Sequence, residues 1–229
     1  MKLLSLLDPL AMFVDFFMGF VVVFFAYKLY QKGKQSSPNS RIFIYSWSLA
    51  MLVLALSVFI GGSIVGMKAH AIEDSVRPWK VFLAVLAGGA CSIQVFGTLN
   101  LTLKDSLIRS LLFGAWGGIF AIYVVFLLVF GYPRIKTPFI VWNTLVIIVL
   151  FVHHYVNSKT RISTAILLGI IFQSIAIMIF FAGGGDLLGI LNKSITFDLL
   201  MMIGLYFYYR GIIGDKIWLP TPYISSHPA

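Results

Sequence analysis

Seven apolar stretches, each about the ~20 residues needed to cross a ~30 Å hydrocarbon core as helix, follow one another along this chain with only short polar connections between them. They run over residues 9–30, 41–67, 79–103, 107–131, 137–156, 161–182 and 194–213, and residues 214–229 form a short tail. The connections carry the residues that break helices: Ser36-Ser37-Pro38-Asn39 after the first stretch, Arg77-Pro78 before the third, Tyr132-Pro133 after the fourth and Gly183-Gly184-Gly185 after the sixth. The pattern predicts an all-α membrane protein, a single domain built as a seven-helix transmembrane bundle with sequential helices antiparallel. Composition agrees. The chain is 60% hydrophobic and 11% charged, against roughly 45–50% and ~25% in soluble domains, which excludes a soluble globule and a disordered tail. Cys91 is the sole cysteine, so no intrachain disulfide can form. The net charge of +9 comes from cations scattered among the connections rather than gathered on one face, so no nucleic-acid partner is expected. The first stretch has Asp8 and Asp15, no small-x-small cleavage site and too long an apolar run for a signal peptide, and is read as a retained helix.

Lys and Arg distribution sets the expected orientation. The first, third and fifth connections plus the tail hold ten: Lys28, Lys32, Lys34, Arg41, Lys104, Arg109, Lys159, Arg161, Arg210 and Lys216. The opposite side holds seven: Lys2, Lys68, Arg77, Lys80, Arg134, Lys136 and Lys193. The N-terminus is therefore expected outside and the C-terminus in the cytoplasm.

Ionisable residues inside hydrocarbon are costly and usually face the bundle interior. Of eight acids, only Asp15 and Asp198 fall within the spans. Both enter from the same side, and His70 at the end of the second span could approach them. The three form a candidate buried polar site: a divalent metal site, a proton or cation site, or two carboxyls simply hydrogen-bonded inside the bundle. The last reading is preferred, because no ligand spacing on a single helix supports a metal. His153 and His154 are adjacent and point about 100° apart, so at most one faces the core. Gln94, Asn100, Asn143 and Gln173, with Ser57, Ser63, Ser92 and Ser174, read as interhelical hydrogen-bonding groups. Ala84, Gly88 and Cys91 on the third span and Gly114 and Gly118 on the fourth read as small-residue faces that let helices pack closely. Trp79, Trp142 and Trp218 read as interfacial anchors, while Trp47 and Trp116 lie deeper. No phosphate loop, dinucleotide fingerprint, G-x-S-x-G or H-E-x-x-H occurs. The seventh span has no lysine for a retinal Schiff base and no span has an arginine row.

Two stretches carry a family resemblance: Gly61-Gly62-Ser63-Ile64-Val65-Gly66 followed by Arg77-Pro78-Trp79-Lys80, and Ile195-Thr196-Phe197-Asp198 through Leu205-Tyr206-Phe207-Tyr208-Tyr209-Arg210-Gly211. The chain resembles bacterial seven-helix proteins with the layout of the CREST superfamily of alkaline ceramidases and adiponectin-receptor-like hydrolases. The resemblance implies a seven-helix bundle in a bacterial cytoplasmic (inner) membrane and a zinc-dependent amide hydrolase site. It places the zinc ligands at Val65 on the second span and at Lys193 and Asp198 at the seventh. Valine has no donor atom and lysine is normally protonated, so that metal site is read as lost.

With no catalytic motif and no cofactor expected, the sequence reads as a non-catalytic integral membrane protein, an accessory subunit packing against other membrane proteins or binding lipid. The apolar, proline-rich tail around Trp218 fits such a partner. Two alternatives remain: a metal-dependent lipid amide hydrolase using Asp15, His70 and Asp198, and a small transporter or channel. The transporter reading predicts a polar cavity joining Asp15 and Asp198 to Gln94 or Gln173, and a dry, tightly packed bundle would remove it.

Overall fold

The computed structural model describes residues 9–67, 73–103, 106–130, 136–156, 161–181 and 193–214. Seven helices occupy these residues: α1 (Pro9–Lys34), α2 (Pro38–Met67), α3 (Glu73–Thr102), α4 (Ser106–Phe130), α5 (Lys136–Val156), α6 (Arg161–Phe181) and α7 (Lys193–Ile213). No strand occurs among the described residues. Six helices are long and apolar enough to cross a membrane, and the chain is an integral membrane helical bundle. The exception is α7, whose Thr196, Asp198 and Tyr208 lower its hydropathy but are turned inward and buried.

The first three helices are longer than the apolar stretches alone predict. Pro38 starts α2 at the position where its missing N–H is not needed, and the Ser37 carbonyl accepts from the N–H groups of Ser40 at 3.1 Å and Arg41 at 2.9 Å. Ser36 Oγ donates to the Lys32 carbonyl at 2.7 Å and satisfies one of the last acceptors of α1. The turn between α1 and α2 is thus three residues long, Gln35 to Ser37, which makes the two helices antiparallel neighbours. Helix α3 begins before Pro78 instead of after it. The proline's missing donor would have served Asp74, close to the helix start, so the helix loses one bond near its end and none in its middle.

The helices pack in an order that differs from their order in the chain. Helix α1 lies between α2 and α7, α2 packs on α3, α3 on α5, α5 on α6, and α6 on α7. These six close a ring. Helix α4 stands outside it, against α3 and α5, and leaves most of its surface to lipid. An aromatic cluster attaches it: the Tyr123 and Trp142 rings stack at 5.0 Å and Trp116 lies 5.1 Å from Trp142. The Tyr123 hydroxyl donates to the Ala84 carbonyl at 2.8 Å, and Trp142 Nε1 donates to the Gly88 carbonyl at 3.2 Å. Trp142 is therefore not an interfacial anchor; it is 2% exposed and wedged between α3 and α4. Trp79, which is exposed, keeps the position expected of an anchor.

Glycine use also departs from expectation. On α3, a Cβ at Gly88 would collide with the ring of Tyr123, so the Ala84–Gly88 face is a packing face. On α4, a Cβ at Gly114, Gly117 or Gly118 would meet nothing within 4 Å. The G-x-x-x-G of Gly114 and Gly118 packs against no described helix of this chain, because it lies on the lipid-facing side of the helix outside the ring. Helices α6 and α7 do approach closely through their glycines. A Cβ on Gly169 would sit 2.8 Å from the Gly204 carbonyl oxygen, one on Gly204 would sit 2.9 Å from that of Gly169, and one on Gly211 would sit 2.6 Å from the Cβ of Ala165.

Candidate functional site

The ring encloses a cavity of about 280 Å³ whose wall is drawn from α1, α2, α3, α5, α6 and α7, and to which α4 contributes nothing. Both intramembrane carboxyls line it. Asp15 lies in the second turn of α1 and Asp198 in the second turn of α7. Helices α1 and α7 run side by side, so their N-terminal ends bring the two side chains to one cavity. Gly62 on α2 makes room for this: a Cβ there would stand 2.9 Å from the Cβ of Asp15. Asp198 is 4% exposed, and its Oδ2 has no hydrogen-bond partner among the described residues. An unmatched carboxylate oxygen in a buried, low-dielectric site costs free energy.

Away from the carboxyls the wall is largely apolar, interrupted by Ser57, Cys91, Gln94, Asn143, Gln173 and Tyr208. The Tyr208 hydroxyl donates to Gln173 Oε1 at 2.8 Å. Asn143 Nδ2 donates to the Phe139 carbonyl at 2.8 Å, and Cys91 Sγ lies 3.7 Å from Asn143 Oδ1. Ser57 Oγ donates to the Leu54 carbonyl at 2.8 Å. Sequence reasoning placed Asp15 and Asp198 in a candidate polar site and read Gln94, Asn143, Gln173 and Ser57 as interhelical hydrogen-bonding groups, and all six line one space. Ser63, Ser92 and Ser174 do not line it; each donates to a carbonyl of its own helix, at 2.8, 3.0 and 2.8 Å. Cys91 has a second role besides small-residue packing, since it lines the cavity. Tyr208 was missed. It stands ten residues after Asp198 on the same helix, about 80° away around the axis, so helical periodicity gave no signal for it.

His70 lies outside the described residues, as do the tail from residue 215 onward and the side chains of Val65 and Lys193. Among the described residues no three His, Cys, Asp or Glu side chains come together. Two carboxyls with amide and hydroxyl neighbours do not fit a zinc ion, which takes three or four strong N, S or O ligands. The adjacent histidines divide as their 100° separation requires: His154 is buried with Nδ1 3.1 Å from Ser163 Oγ, while His153 is half-buried.

A larger concavity, about 490 Å³, lies outside the ring between α4 and α5, lined by Ile119, Ile122, Phe126 and Val141 among others. Its polar groups are few, and that of Tyr123 is already committed to Ala84. It has the character of a lipid-facing groove. The enclosed cavity, though smaller, is the one that holds ionisable groups, and it is the candidate site. No curated protein and no solved structure matches the chain. The profile of a family of unknown function, DUF6962, matches residues 10–216, and the chain belongs to that family.

Proposed function

We propose that this protein binds a small solute in its membrane-embedded cavity and acts as a carrier. The observation that supports this reading is the cavity itself, which gathers Asp15 and Asp198 together with Gln94, Asn143 and Gln173 from separate helices. A subunit that only packs against neighbours gains nothing from burying two carboxyls around an open space, and pays in stability for doing so. The hydrolase alternative lacks a third metal ligand among the described residues.

Cys91 tests the carrier reading, because this single thiol lines the cavity. In protein reconstituted into nanodiscs, the small neutral reagent methyl methanethiosulfonate is expected to modify Cys91, while a maleimide carrying a polyethylene glycol chain is excluded. A thiol that resists the small reagent in the folded protein, yet reacts once the chain is unfolded, overturns the reading.

A second reading, contact with another membrane subunit, draws on the outer face of α1. Phe13, Phe17, Phe20, Phe24 and Tyr27 are all exposed and alternate by four and three residues, the 3.5-residue period of a helix–helix seam. Crosslinking from Phe20 in native membranes tests it: a discrete protein adduct supports a partner helix, and lipid adducts alone remove it.

A further inference from the structure

The carrier reading leaves the solute unnamed, and the chemistry of the cavity narrows it. We infer that the cavity takes a small organic ammonium ion, with its cationic head between Asp15 and Asp198 and its apolar body along the wall of α3 and α5; the inference rests on the carrier reading.

Charge comes first. Two negative charges sharing one small, low-dielectric space repel strongly, so the Asp15–Asp198 pair favours a single negative charge facing the cavity. The titratable groups on the described wall are these two, Cys91 and Tyr208, and no Lys, Arg or His is among them. A monocation balances that charge. An anion adds to it, and a neutral solute leaves it uncompensated in a low-dielectric space. Asp198 lines the space and its buried Oδ2 has no hydrogen-bond partner among the described residues, so its carboxyl is the acceptor group such a cation would satisfy.

The wall then separates an organic cation from a metal cation. Hard cations such as Ca²⁺ or Mg²⁺ surround themselves with about six or more oxygens. The described wall offers two carboxyls and no third acidic, His or Cys ligand gathered with them, and Gln173 Oε1 already accepts from Tyr208. The wall offers instead the rings of Phe139, Phe197 and Tyr208, whose faces attract alkylammonium groups. The volume, about 280 Å³, is at the lower edge of ordinary ligand sites, which span roughly 300–1,000 Å³, and so favours an amine with a short apolar body.

The experiment measures protection of Cys91 in nanodisc-embedded, full-length protein, with phenethylammonium chloride as the probe and methyl methanethiosulfonate as the reagent. Phenethylammonium at about ten times its Kd is expected to slow modification by about tenfold, as mass action predicts for an occupied site. The neutral 2-phenylethanol, the anionic phenylacetate and sodium chloride at equal concentration are expected to give little protection. Equal protection by the alcohol, or protection by sodium, overturns the inference while leaving the carrier reading in place. A thiol that never reacts in folded protein defeats the carrier reading itself. Single Asp15→Asn and Asp198→Asn variants each keep one negative charge and are expected to keep protection. The double variant is expected to abolish protection at the same amine concentration, its affinity for the amine falling by about 100-fold or more with the loss of a close ion pair in a poorly solvated site. Protection unchanged in the double variant overturns the inference, and if that variant fails to fold, the comparison of amine, alcohol and sodium on the natural protein decides alone.

Discussion

The Tyr208 hydroxyl of α7 donates to Gln173 Oε1 of α6 at 2.8 Å, and the same Tyr208 ring lies directly over Gly169, one turn earlier on α6. One contact is polar and the other steric, and both depend on α6 having no side chain at residue 169. Removing the hydroxyl alone costs little, because interhelical hydrogen bonds in membranes average about 0.6 kcal/mol. Removing the ring leaves a void, at about 3–5 kcal/mol. Thermal unfolding in detergent is therefore expected to show a small loss for Tyr208→Phe and a large one for Tyr208→Ala. Losses of equal size would mean that the ring is not packed as described.

Glycines on different helices are expected to behave oppositely. Gly169→Leu and Gly204→Leu force apart two backbones that approach to within 3 Å of a new Cβ, an overpacking cost of about 1–3 kcal/mol or more. Gly114→Leu and Gly118→Leu meet open space and are expected to stay within about 0.5 kcal/mol of the natural protein. The midpoints of thermal denaturation for the four variants check this. Destabilisation at Gly114 equal to that at Gly204 would show that α4 has a partner helix.

These two pairs of glycines also mark what the sequence could reveal. Hydropathy marked six of the described helices as spans, because the ~20-residue apolar length is set by the solvent and not by packing, while α7, with polar residues turned inward, falls short of that measure. Hydropathy also flagged Asp15 and Asp198, since a carboxyl in an apolar run is conspicuous wherever it falls. What it could not give was neighbourhood. Gly114 and Gly118 have the spacing of a packing motif, but α4 lies outside the ring and turns them to lipid. Ala165 and Gly169 have the same four-residue spacing and do meet α7 through Gly204 and Gly211, yet the sequence gives the two pairs equal weight. Trp142 was misread for a related reason: its place near a helix end suits an anchor, but α4 covers it.

Membrane orientation follows from cation placement and is open to direct measurement. A green fluorescent protein fused after Ala229 is expected to fluoresce, and alkaline phosphatase fused there is expected to be inactive, because cation placement predicts a cytoplasmic C-terminus. The reverse result would invert the bundle and place Asp15 and Asp198 nearer the cytoplasmic face.

Metal removal is expected to have no effect. Without a third ligand beside Asp15 and Asp198 among the described residues, incubation with 1,10-phenanthroline should leave the denaturation midpoint of purified protein unchanged, and metal analysis should return well under one zinc per chain. A midpoint lowered by the chelator would bring His70 back as a ligand and restore the hydrolase alternative.

The ring has a consequence for biogenesis. Its closing seam joins the first helix to the last, so Asp15 enters the bilayer 183 residues ahead of Asp198. At a synthesis rate of about 5–20 residues per second, that carboxyl waits roughly ten seconds or more for its mate. Until α7 arrives the cavity is an open cleft with a solitary acid at its edge, a form suited to recognition by insertion machinery or by quality-control proteases. Chains truncated before residue 193 are thus expected to be cleared from the membrane, whereas the completed ring conceals the feature that would mark them.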